Sequence, residues 1–140
     1  YREALAAAGI MYDEALVAAG YPDHRNRSED LYAAIERLLM LAEPPTVLCC
    51  GNDEMALRVY GMLRSRGLRE DISVAGYDDH RAIAETLYPP LTSAELPYVQ
   101  MGTQAALNQL EQQRGQAAGS NPRKVRGALV WRDSVTQQAQ

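Results

Sequence analysis

Cysteine is scarce in this 140-residue chain, and its placement excludes most cysteine chemistry. Cys49 and Cys50 are the two cysteines, side by side in an apolar run. Neighbours on a strand point to opposite faces, so a bridge between them would need strained geometry. There is no CxxC and no Cys–His cluster, so no metal site is expected. Both read as small buried hydrophobes in a reducing compartment. No stretch approaches the ~18 consecutive apolar residues of a membrane span. The first residues are not a secretory signal, because Arg2 and Glu3 precede the alanines. Basic patches are missing too. With 14 basic and 18 acidic residues the net charge is −4, which gives no footprint for nucleic acid on this segment. Arg64, Arg66 and Arg69 are interrupted by Gly67 and followed by Glu70 and Asp71, the pattern of a solvated face.

What is present fits one α/β domain with 46% hydrophobic residues to fill its core. The chain opens as a helix over residues 1–8, stopped by Gly9 and with no capping residue ahead of it. A start inside a helix suggests a portion ahead of Tyr1. Leu16 to Ala19 reads as a short strand, followed by a polar loop from Tyr21 to Arg27. Ser28 is the expected cap of a helix whose stripe is Leu31, Ile35, Leu38, Leu39 and Ala42, ended by Pro44-Pro45. Residues 46–50 read as a strand covered on both faces. A second helix follows, with Asn52 or Asp53 as cap and Gly67 past its end. Ile72 to Ala75 reads as a strand ending at Gly76. This βαβ succession predicts a Rossmann-like parallel sheet flanked by helices. Tyr88-Pro89-Pro90 is an irregular connection, and Leu91 to Ala94 a further strand. Pro97 opens a helix to about Arg114 with Tyr98, Met101, Ala105, Ala106 and Leu110 on one face. A last strand alternates from Val125 to Arg132.

In such sheets ligands bind beyond the carboxyl ends of the strands. Two polar groups fall there, Gly51-Asn52-Asp53 and Gly76-Tyr77-Asp78-Asp79. Asn offers a donor and an acceptor and Asp several acceptor sites, a set that suits a polyhydroxylated ligand. The same residues also suit plain helix caps and turn formers, and geometry alone leaves both readings open.

The order of motifs narrows them. Pro44-Pro45-Thr46, Gly51-Asn52-Asp53-Glu54-Met55-Ala56, Gly67-Leu68-Arg69 and Asp71-Ile72-Ser73-Val74-Ala75-Gly76-Tyr77-Asp78-Asp79 follow one another. Pro89-Pro90-Leu91-Thr92-Ser93, Met101-Gly102 and Arg132-Asp133-Ser134 complete the series. The succession resembles the lactose-repressor/galactose-repressor (LacI–GalR) family over nearly the whole chain. The resemblance implies the C-terminal part of a sensor related to type I periplasmic binding proteins, dimeric and cytoplasmic. Its effector would be a small molecule such as a sugar, held between two lobes. Operator DNA would be read by a helix-turn-helix head that this chain does not contain. Residues 1–96 would form the C-terminal lobe, 97–124 a crossover helix and loop of the other lobe, and 125–140 a returning strand and tail.

By the same resemblance Asn52 and Asp78 match polar effector contacts, while Tyr98 and Tyr21 match pocket aromatics. Tyr98 could equally be a core residue opening an apolar helix face. Leu57 and Leu87 match the two-fold interface, and the alternative is that the helix from Asp53 to Arg66, apolar on more than one side, simply lies deep in the core. Asp79 is expected to order the loop, and His24 and His80 to be loop residues. Arg2 does not take the effector-binding arginine role, whose place in the family falls before Tyr1. The link between Gly67-Leu68-Arg69 and Asp71, Glu70 alone, is shorter than the family's.

No cofactor is implied. The nearest rival function is a periplasmic sugar-binding protein of a transport system, against which the Pro-Pro-Leu-Thr segment and the Arg-Asp-Ser tail speak. An enzyme using Asp78 or Asp79 with His80 would need a second group in reach, and the sequence offers none.

Overall fold

The computed structural model describes residues 1–18, 27–115 and 124–136. Among the described residues the sheet has four strands, β1 (Val47–Cys49), β2 (Ser73–Asp78), β3 (Thr92–Glu95) and β4 (Leu129–Val130), in the order β1-β2-β3-β4. The first three run parallel and β4 returns antiparallel to β3, so the sheet is parallel except at that edge. The helices are α1 (Arg2–Ala7), α2 (Arg27–Leu39), α3 (Asp53–Ser65), α4 (Arg81–Ala84) and α5 (Tyr98–Gln113).

The core forms where the apolar stripes of α2 and α3 meet the sheet. Leu31, Ile35 and Leu38 of α2 are buried with Ala56, Val59, Tyr60, Met62 and Leu63 of α3. From the strands and their flanks come Leu48, Ile72, Val74 and Leu91. Leu39 packs partly against this cluster, and Ala42, beyond the helix end, is exposed. At the ends of α1 and α3, Gly9 and Gly67 take φ +69° and +70°, the left-handed turn that stops a helix at little cost for glycine.

Several sequence expectations are corrected. The residues expected to begin a strand at Leu16 form a 3-10 turn, Glu14–Leu16, because Asp13 accepts the Ala15 N–H at 2.9 Å. Arg37 then donates to the carbonyls of Ala15 and Val17, occupying acceptors that a strand would offer to a neighbour. Ser28, expected just ahead of its helix, falls within α2 (Arg27–Leu39). Strand β1 is outermost in the described sheet, so only Leu48 of its three residues is buried. Cys49 is therefore exposed and Cys50 half-buried, not the fully buried pair expected. Gly76 does not end its strand but sits within β2, where a Cβ would collide with the Asp53 carboxylate and the Leu91 side chain. The final strand shrinks to Leu129–Val130, and at Gly127 ahead of it a side chain would collide with the Glu95 carbonyl, so the close approach there needs glycine.

Candidate functional site

The carboxyl ends of β1, β2 and β3 open onto one cleft of about 620 Å³. Asn52, Asp53 and Glu54 reach it from the start of α3, Asp78 to Arg81 from the end of β2, and Glu95 to Gln100 from the turn into α5. Three of the four expected effector contacts, Asn52, Asp78 and Tyr98, thus line the same cavity. The fourth, Tyr21, lies outside the described residues, as does His24.

Asn52 is both cap and cleft residue. Its side-chain oxygen accepts the Met55 N–H at 2.8 Å, which leaves the amide NH2 group for other partners. Tyr98 is 63% exposed at the first position of α5, so it is no core residue. Asp78 ends β2 with φ 108° and Asp79 follows at φ 49°. Such values in non-glycine residues cost of order 1–3 kcal/mol each and persist only where neighbours over-determine them. Here the His80 N–H donates to Asp53 Oδ2 at 2.6 Å and the Asp79 N–H to Ser93 Oγ at 3.1 Å. The Asp78 carbonyl accepts the Leu96 N–H at 3.3 Å.

Burial lifts the Asp78 carboxyl above the usual aspartate range; the negative Asp53 and Glu54 add to the rise and His80 opposes it. Asp79, as expected, is committed to the loop: its carboxylate meets Arg132 at 2.7 Å. His80 is an exposed turn residue at the start of α4. Arg2 is remote from the cleft and stacks on the Tyr12 ring at 4.3 Å. The Cys50 thiol is pushed up to about 12 by burial, with Cys49 and Asp53 contributing, which opposes a nucleophilic role.

Leu57 is 47% exposed on α3, so the face that carries it lies outside the core that Ala56 and Val59 enter. Leu87, just past α4, is partly buried against the core. Sequence reasoning passed over Asp53 and Ser93 except as a cap and a family letter. Both are buried, Asp53 at the cleft floor and Ser93 behind it, and the Ser93 hydroxyl donates to Asp53 Oδ1 at 2.6 Å.

Comparison with known proteins places this cleft in context. Residues 1–135 match the family described as a periplasmic binding protein-like domain. The chain is similar to the HTH-type transcriptional repressor CytR of Escherichia coli K12, 35% identical over 137 residues, covering 96% of this chain and 39% of CytR. It is 42% identical over 108 residues to the HTH-type transcriptional regulator CelR of Thermobifida fusca, covering 76% of this chain and 30% of CelR. Among solved structures, a CelR–cellobiose complex superposes with TM-score 0.75 at 32% identity, covering 96% of this chain and 40% of that one. The Escherichia coli repressor AscG gives TM-score 0.71 at 31% identity, covering 96% and 48%. The chain therefore spans well under half the length of the curated relatives it matches.

Proposed function

Because this chain belongs to the periplasmic binding protein-like sensor domains of LacI-family transcription regulators, we propose that it is the effector-sensing part of a DNA-binding repressor. The effector is a small polyhydroxylated molecule of the sugar class. One observation carries this reading: Asn52, Asp78 and Tyr98 converge on a single cleft at the carboxyl ends of parallel strands. Adjacent hydroxyls donate to the Asp78 carboxylate and exchange hydrogen bonds with the Asn52 amide, while a sugar face lies on the Tyr98 ring. A related regulator, CelR, has been solved with cellobiose, which supports a sugar over other classes. Tyr21 remains a pocket aromatic on resemblance alone.

In this reading the protein works in the cytoplasm as a homodimer, with Leu57 and Leu87 at the two-fold contact and operator DNA read by a helix-turn-helix outside these residues. Helix α5, which buries none of its residues, belongs with a neighbouring lobe. The 97–124 stretch is then the crossover between lobes, and residues 125–140 return to the lobe formed by 1–96. No metal or cofactor takes part and no bond is made or broken. A transport sugar-binding protein shares the fold, but the relatives at 35–42% identity are transcription regulators.

A thermal-shift screen of neutral sugars and nucleosides on the full-length protein tests the proposal, followed by operator binding with each hit. Effector at about 100 times its Kd stabilises by about 2.7 kcal/mol, a shift well within detection. A hit that also changes operator affinity is the expected result. A screen in which no polyhydroxylated compound shifts the melt would remove the effector assignment.

A further inference from the structure

We propose that Asp53 is the positioning residue of this site, holding the Asp78–His80 turn in its binding geometry before any ligand arrives. Resting on the effector reading for what Asp78 is aimed at, the inference adds a residue of the cleft floor whose two carboxylate oxygens are already engaged by the protein itself.

Asp53 is 1% exposed and opens α3, at the floor of the cleft. Its two carboxylate oxygens are divided between two chain segments. Oδ2 accepts the His80 N–H at 2.6 Å, and Oδ1 accepts the Ser93 hydroxyl at 2.6 Å. Ser93, 0% exposed on β3, passes the restraint on, because its Oγ accepts the Asp79 N–H at 3.1 Å. Both amides that follow Asp78 are thus tied, directly or through one hydroxyl, to a single buried carboxylate. The fold makes room for it: a side chain at position 76 would occupy the space of the Asp53 carboxylate, and glycine stands there. Hydrogen bonds to an ionised acceptor are about twice as strong as neutral ones, which suits a device restraining two unfavourable φ angles. Burial raises the Asp78 carboxyl first, and the nearby negative Asp53 adds to the rise.

The arrangement assigns separate arms to the two amides, and hydrogen exchange of the full-length protein, read residue by residue by NMR without ligand, distinguishes them. Asp53→Ala should speed exchange at His80 by about tenfold, the loss of one hydrogen bond to a charged group, and at Asp79 by less, because its bond to the Ser93 hydroxyl loses only the anchor behind it. Ser93→Ala should release Asp79 and leave His80 protected. Asp53→Asn keeps an oxygen for His80 and an N–H for Ser93 Oγ, and should restore most protection. In each case the α3 amides from Val59 to Leu63 should be unchanged. Uniform acceleration across α3, β2 and β3, or protection at Asp79 and His80 insensitive to all three variants, would overturn the proposal. If Asp53→Ala does not fold, Ser93→Ala and Asp53→Asn still decide it. Calorimetric titration with cellobiose should show about tenfold weaker binding by Ser93→Ala. Failure of the unsubstituted protein to bind cellobiose would count against that sugar as effector, and the exchange pattern would still judge Asp53.

Discussion

The Asp79 carboxylate meets the Arg132 guanidinium at 2.7 Å, with the two side chains only 7% and 13% exposed. Arg132 also donates to the Leu91 carbonyl at 2.7 Å, and its far end lies 3.8 Å from Glu85. Two residues on, the Ser134 hydroxyl donates to the Val74 carbonyl at 2.6 Å and accepts the Thr92 N–H at 2.7 Å. The Arg132-Asp133-Ser134 segment is therefore a strap that joins β2 to β3 and anchors the loop beside Asp78.

Breaking that strap should be costly. Arg132→Ala leaves the shielded Asp79 charge without its partner, and such losses run at about 3–5 kcal/mol. Ser134→Ala strands a buried donor and acceptor at about 1–3 kcal/mol. Urea denaturation of each variant checks both figures. A loss below about 1 kcal/mol for Arg132→Ala would mean that solvent screens the pair as it does at a surface.

Much of this was legible in the sequence, and for identifiable reasons. The helical stripe of Leu31, Ile35 and Leu38 and the Gly67 stop follow from periodicity and backbone preference. The cleft residues Asn52 and Asp78 follow from their place after parallel strands. The Leu16 region was misread because a local Asp13 cap and a long-range Arg37 contact both compete with strand pairing. Gly76 looked like a strand end because its role, making room for Asp53, is a tertiary contact with no local signature. Asp53 and Ser93 escaped notice as a pair for the same reason: they lie 40 positions apart and meet only in the fold.

Leu57→Asp should give a folded protein of half the parent mass in light scattering. The residue is half-exposed on α3, so a charge there need not disturb Val59 or Leu63 beneath it. A variant that remains dimeric would place the two-fold contact elsewhere.

Effector affinity should fall with acid sooner than an ordinary aspartate would allow. The Asp78 carboxyl sits above its usual value, so the accepting carboxylate is lost as pH drops through that raised value. Stability moves the other way. The folded chain holds this proton more tightly than the unfolded chain, so a penalty develops as pH rises from the ordinary to the raised value. Asp78→Asn should therefore match the parent's stability in acid and exceed it near neutrality, while binding weakly and without pH dependence in this range. Melts and titrations across that range check both signs; a variant equally stable at every pH would contradict the raised carboxyl.

Helix α5 leaves Val99, Met101, Leu107 and Leu110 between 43% and 83% exposed, and apolar surface of this kind drives association. The 140-residue chain by itself should self-associate in sedimentation, and Met101→Lys with Leu110→Lys should suppress it. A chain that stays monomeric without the substitutions would show that the α5 face needs no cover.

The effector assignment stands most directly on Asp78, and calorimetry of the full-length protein against a sugar or nucleoside from the thermal-shift screen tests it. Asp78→Ala removes the carboxylate acceptor and should weaken binding by about 1.5–3 kcal/mol, roughly 10- to 150-fold, with the fold intact by circular dichroism. Unchanged affinity in a folded Asp78→Ala protein would contradict the account.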